Sequence, residues 1–207
     1  MLAWARRTFA GIATNPVSLV KAGAESTGLP AASFDFVIAR LLFQHLADPV
    51  SVAREAHRIL KPGGSLVVID VDAGLFGVIE PRIVGLRRVL AAFGEKQAQR
   101  GGNRFIGRML PHLLRDTGFN AVELESVAIN SDESGLAECF PLLDPIPLQG
   151  LLASGHISEA EFVELRAAHK TFTESDPFAL FLLFMARGVK PAPHPAADGG
   201  ALREAAV

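Results

Sequence analysis

The sequence predicts an α/β domain built on a parallel sheet. Three observations in one stretch, Ser33 to Asp72, predict it. Phe34 to Ala39 (FDFVIA) is a short, nearly continuous apolar run, the pattern of a strand buried on both faces. A helix follows, with Asp48 placed to cap it, Pro49 at its first position, and Val52, Ala56, Ile59 and Leu60 recurring at helical spacing. Lys61-Pro62-Gly63-Gly64 stops the helix, because proline cannot continue it and glycine reaches the left-handed conformation a stop needs. Ser65 to Val71 (SLVVIDV) is then a second buried strand. Strand, crossover helix and parallel strand make one βαβ unit.

Upstream of this unit, Met1 to Gly11 reads as a helix, with Leu2, Ala5 and Phe9 on one side and Arg6 and Arg7 on the other. Asn15-Pro16 is a turn, Val17 to Ala22 a strand, and Gly23 to Ala32 a loop of small residues. Downstream, Leu75 to about Ala98 reads as mostly helical, interrupted at Pro81 and broken at Gly101-Gly102-Asn103. Phe105 to Asp116 is a helix closed by Thr117-Gly118, and Asn120 to Ile129 a strand. Ser131 to Ser134 caps a helix running toward Leu143, which resumes from Leu148 to Ala153. Ser158 to about Phe172 is amphipathic, with Ser158 and Glu161 spaced as a capping box. Pro177 to Val189 is the last strand, too apolar to be exposed. Pro191 to Val207, rich in alanine, proline and glycine, reads as a disordered tail.

The 207 residues bound one domain, residues 1–190, followed by that tail. Formal net charge is -2 with no block of like charges, so no large basic surface for nucleic acid is expected. Cys139 is the single cysteine, which excludes an internal disulfide and fits a reducing, cytoplasmic setting. No apolar run reaches transmembrane length and the start lacks a signal-peptide pattern, so no membrane association is expected. His112, His156 and His169 make no metal-ligand spacing, and no metal site is expected.

The run FDFVIARLLFQHLADPVSVAREAHRILKPGGSLVVIDVD resembles the second half of a class I S-adenosylmethionine-dependent methyltransferase, of the ubiquinone/menaquinone-biosynthesis-like branch. The FD strand start, the LxxHLxDP segment from Leu42 to Pro49, and the ExxRxLKPGG turn from Glu55 to Gly64 carry the resemblance. Weaker matches extend it to about Lys190. It implies a Rossmann-like sheet whose last strand is antiparallel and slots beside SLVVIDV, with a helical cap over about 131–173, and S-adenosylmethionine as cofactor. The family's first strand with its glycine-rich turn and its second, acid-tipped strand have no counterpart. Met1-Leu2 fits the Met-Leu that follows that acid, so the chain reads as a truncated part of a longer protein. Two further expectations stand beside truncation. The open sheet edge pairs with another chain as a homo-oligomer, or Val17–Ala22 pairs directly with Phe34–Ala39.

The resemblance also distributes roles. Gly23, Ala24 and Glu25 lie against the adenine, with Gly23 standing where a carboxylate is usual. Ala39, Arg40 and Leu41 border the cofactor's methionine part, and Arg40 is either a carboxylate anchor or a surface charge. His45 is either a general base or a structural histidine at the helix start. Gln44 and Asp72 are candidate substrate contacts, although Asp70 and Asp72 also suit loop capping. The expected activity is methyl transfer to a small apolar or amphipathic acceptor. The alternative is a non-catalytic remnant that binds or scaffolds.

Overall fold

Asp48 and Pro49 start the first helix as their residue types dictate. In the computed structural model, which describes residues 17–75, 77–135 and 145–193, the Asp48 carboxylate accepts the Ser51 N–H at 3.0 Å. β1 (Phe34–Arg40), α1 (Pro49–Ile59) and β2 (Leu60–Val71) form the predicted parallel unit. The turn differs in one respect. The helix stops at Ile59 with Leu60 already extended, so the Lys61–Gly64 turn lies inside the β1–β2 ladder. Phe34 pairs with Leu60 but Phe36 with Ser65, and the intervening residues bulge. Gly63 supplies the left-handed conformation there, at φ +81°, and its N–H reaches Lys190 O at 2.9 Å.

The remaining elements are β3 (Gly77–Glu80), α2 (Leu86–Ala98), α3 (Leu110–Asp116), β4 (Asn120–Asn130), α4 (Ser131–Ser134), α5 (Pro145–Ala153), α6 (Glu159–Thr173) and β5 (Phe178–Val189). β5 is the antiparallel centre of the sheet. Its C-terminal half pairs with β2, from Val71 opposite Leu183 to Ser65 opposite Val189. Its N-terminal half pairs with β3 along the same edge, and β4 runs along the other. The order β1-β2-β5-β4, with the last strand antiparallel, is the Rossmann-like arrangement the resemblance implies. The Ser158–Glu161 capping box forms as read.

Four expectations are corrected. Val17–Ala22 is not a strand, and only an isolated Gly23–Ser26 bridge follows it. Direct pairing with β1 is absent, and without a ladder partner Val17 and Val20 stand exposed. Residues 77–80 are a strand rather than helix, because Gly77 approaches the Leu180 carbonyl more closely than any side chain allows. The cap of α4 is Asn130, whose Oδ1 accepts the Glu133 N–H at 3.0 Å, and Ser131 is free to accept the Ala179 N–H instead. β1 is buried on one face only, with Phe34, Phe36 and Ile38 exposed on the other. The readings at residues 1–16, at Cys139 and the helix toward Leu143, and at 194–207 lie outside the described residues.

Two cores result. In the first, α1 and α3 cover one sheet face, with Phe43, Ala53, Leu66, Val68, Leu110 and Leu114 buried together. In the second, α2, α5 and α6 cover the N-terminal half of β5, around Val89, Leu148, Leu151 and Phe181. Each fully buried large side chain contributes about 1.5–3 kcal/mol.

At the C-terminus of α1, His57 is wedged edge-on to Phe119, ring centroids 5.0 Å apart. Its Nε2 is buried without a hydrogen-bond partner among the described residues. Burial, and then the neighbouring Lys190 charge, push its pKa below 6.5. The unfolded chain therefore binds a proton at higher pH than the folded one. The stability His57 protects is complete above pH 6.5 and falls as pH drops below it. Urea unfolding at pH 7.5 and 5.5 is expected to show a larger acid loss in wild type than in His57→Gln; equal losses refute this.

Candidate active site

The C-terminal ends of β1 and β2 place most of the candidate residues. Leu41, at φ +51°, turns the chain out of β1 while its N–H stays on Ile69 O at 2.8 Å. The turn Phe43–His45 follows. Asp70, fully buried at the end of β2, accepts the Gln44 N–H at 3.1 Å and the Val71 N–H at 2.9 Å. Burial pushes its carboxyl above the ordinary value, against those hydrogen bonds. Gln44 is itself buried, and its carbonyl accepts the Asn103 N–H at 2.8 Å and the Gln97 amide. Gln44 is therefore a link within the protein, while Arg40 and His45 stand exposed. Ala39 lies in the first core.

Asp72 is buried and held by its own residues. Arg108 donates to its two carboxylate oxygens from Nε and Nη2, each at 2.6 Å, and Gly74 N–H adds a third bond at 2.9 Å. Asp72 thus supports the wall of a cleft instead of presenting its oxygens to a ligand. That cleft, about 1530 Å³, lies beyond the end of β2. Its walls come from Ala73, Gly74 and the strand Gly77–Glu80, the apolar side chains Ile83, Leu86 and Leu90, and the segment Gly102–Phe105. Sequence reasoning missed Arg104, which lines it; a lone arginine after a glycine pair carries no sequence signal.

The loop from Gly23 to Pro30 is tied to α1 by Glu55. Its carboxylate accepts the Thr27 N–H at 2.9 Å and the Thr27 hydroxyl. Arg58 closes on the same carboxylate at 2.7 and 2.9 Å, and reaches Leu29 O at 2.7 Å. The Arg58 guanidinium, then the Thr27 donors, hold Glu55 at about 2. Its contribution is present above pH 4.5 and is lost only as pH falls through about 2. Glu55→Ala is expected to cost about 2 kcal/mol and to speed amide exchange at Thr27 and Leu29. Unchanged exchange at those two amides would refute the anchor. At the loop tip, Glu25 folds back over Gly23, whose absent Cβ would lie 2.5 Å from Glu25 Oε1.

No group of three His, Cys, Asp or Glu residues among the described residues is arranged to hold a metal, and no described helix is long and apolar enough to cross a membrane.

A family model described as "Methyltransferase domain" matches residues 1–68. A demethylmenaquinone methyltransferase of Geobacillus kaustophilus is 29% identical over 120 residues, 53% of this chain and 51% of that enzyme. One of Listeria welshimeri is 34% identical over 77 residues, 37% of this chain and 30% of that enzyme. The chain thus spans about half or less of the curated relatives it matches. Among solved structures, a methyltransferase-like protein of Bacillus halodurans superposes over 92% of this chain and 79% of its own, with TM-score 0.53 and 18% identity. The YcgJ protein of Bacillus subtilis does so over 92% and 78%, with TM-score 0.50 and 17% identity.

Residues 1–68 are thus similar to a methyltransferase domain, and the fold is similar to that of class I S-adenosylmethionine-dependent methyltransferases. S-adenosylmethionine is the cofactor of that family. The described residues fit one side of it. Ala24 and Glu25 are the central residues of the Gly23–Ser26 turn, and their backbone N–H groups have no acceptor among the described residues. Glu25 also brings back over Gly23 the carboxylate that position lacks. No Gly-x-Gly turn precedes a helix among the described residues.

Proposed function

We propose that this chain takes part in methyl transfer from S-adenosylmethionine to a small-molecule acceptor seated in the cleft beyond β2. The observation that carries the reading is the cleft itself, at the carboxyl end of a sheet strand, where open α/β sheets bind ligands. Bound S-adenosylmethionine supplies a methyl group already activated on a sulfonium, so the protein's share is alignment and exclusion of water. Ala24 and Glu25 offer backbone donors and a carboxylate to the adenine. Arg40 offers a cation to the carboxylate end. His45, exposed at the end of the Phe43–His45 turn, is the candidate base for a proton from an acceptor hydroxyl or amine. The apolar wall of Ile83, Leu86 and Leu90 favours an apolar or amphipathic acceptor over nucleic acid. The single cysteine supports a cytoplasmic setting. The β1 edge that no described strand pairs, with Phe36 and Ile38 exposed beside it, is where a second copy would add.

Calorimetric titration of S-adenosylhomocysteine into the purified chain, with light scattering for its oligomeric state, tests the reading. Micromolar binding is expected. A folded sample that binds none overturns it and favours a non-catalytic scaffold.

A further inference from the structure

Arg104 is the one buried cation of the cleft. It is 9% exposed and lines the cavity. Its backbone is fixed from both sides. Its carbonyl accepts the Ala73 N–H at 2.8 Å, and the preceding Asn103 N–H is held by Gln44 O at 2.8 Å. Its guanidinium is not fixed by any described residue. Nε is buried without a partner, and no described residue makes a hydrogen bond or ion pair with the group. The contrast with its neighbours is direct. Arg58 closes on Glu55 at 2.7 Å, Arg88 on Glu161 at 3.1 Å and Arg108 on Asp72 at 2.6 Å. Asp70 is the opposite charge that Arg104 feels, but no hydrogen bond or ion pair joins the two, and the Asp70 oxygens accept the Gln44 and Val71 N–H groups.

A guanidinium carries five donors in a planar fork and does not shed its proton in proteins. Burying it unpaired is costly, and such a cost persists where a ligand removes it. Arg88 faces Glu95 at 3.9 Å on the cleft rim, and Arg82 and Arg87 line the cleft as exposed, solvated cations, so Arg104 is the buried cation that can act on a bound molecule. We propose that Arg104 binds an anionic oxygen pair, a carboxylate, on the molecule that occupies this cleft, and that the acceptor is therefore an amphipathic acid with its apolar body against Leu86 and Leu90. Fork-on-carboxylate pairing gives two parallel N–H···O bonds, so it orients the ligand as well as holding it. That the bound acid is the methyl acceptor rests on the methyl-transfer reading; that Arg104 binds a carboxylate does not. Burial pushes the guanidinium's pKa down from its ordinary value, with Asp70 opposing.

The experiment uses 4-phenylbutyrate and its neutral counterpart 4-phenylbutanamide as probes on the full chain, with S-adenosylhomocysteine titrated separately. Wild type is expected to bind the acid at least tenfold tighter than the amide. Arg104→Met is expected to erase that preference, Arg104→Lys to keep part of it, and neither to change S-adenosylhomocysteine affinity. Equal binding of acid and amide, or binding of neither, overturns the proposal. So does a preference that survives in Arg104→Met, or a parallel loss of S-adenosylhomocysteine binding. A chain that binds the acid through Arg104 but no S-adenosylhomocysteine refutes methyl transfer and leaves the carboxylate site standing.

Discussion

Replacing Arg108 by alanine is expected to destabilise the fold by about 3 kcal/mol, a Tm loss of roughly 6–12 °C for a chain of this length. The reason is asymmetry. Asp72 is fully buried while the Arg108 side chain is 56% exposed, so truncating the arginine strands a carboxylate in the interior, with only the Gly74 and Arg108 N–H groups as partners. The half-exposed arginine places the cost at the low end for broken buried pairs. Asp72→Asn keeps the shape and loses the charge, and is expected to cost less. The pH dependence gives an independent check. Burial pushes the Asp72 carboxyl up, but the Arg108 hydrogen bonds and charge, with the Gly74 N–H, outweigh it, and the net pKa lies below 3.8. Its contribution is thus present above pH 3.8 and is lost as pH falls below that. In Arg108→Ala the opposing groups are gone, burial dominates, and the stranded carboxyl takes its proton early. The stability gap between wild type and variant, measured by urea unfolding, is expected to narrow from pH 7 to pH 4. A constant gap would show that the ion pair is not what Arg108 contributes. Because the pair ties the loop of Ala73 and Gly74 to residues 106–109, ligand binding in the cleft is expected to weaken with it.

Gly77→Ala is expected to cost roughly 3 kcal/mol, combining backbone strain with overpacking. Gly77 sits at φ +132°, and a Cβ there would stand 1.9 Å from the Leu180 carbonyl oxygen. Flexible side chains can yield to such an intrusion; a backbone carbonyl in a ladder cannot. β3 would have to leave β5, and with it the cleft wall formed by Val78 and Ile79. Gly135→Ala is the control. Gly135 also has a positive φ, +80°, but a Cβ there meets no described atom within 4 Å, so its cost is backbone strain, about 1–3 kcal/mol. Amide exchange across the β3–β5 ladder separates the two. Fast exchange at Ile79 in Gly77→Ala only is expected, and slow exchange there in both variants would sink the argument.

The sequence by itself determined the elements whose signals are local. Asp48-Pro49 starts α1, Ser158 and Glu161 box the start of α6, and the apolar runs of β2 and β5 need no distant information to be strands. The family resemblance then supplied their order, with β5 antiparallel beside β2. Tertiary structure decided what depends on a neighbour. Val17–Ala22 has strand-like residues and no ladder partner, so it is not a strand. Residues 77–80 lie inside a stretch read as helix, yet pair with β5 because Gly77 lets two backbones meet. The site divides in the same way. Gly23, Ala24, Glu25 and His45 lie in turns that the local sequence sets, and Arg40 ends a strand that it also sets; the roles given to them are those of the proposal. The surroundings of Asp72 and Arg104 were not legible in the local sequence. One is a carboxylate whose partner lies 36 positions along the chain; the other is an arginine with no hydrogen-bond partner for its Nε among the described residues. Pairing of buried charge is settled by which side chains the fold brings within a hydrogen-bond length, and no spacing in the sequence records that distance.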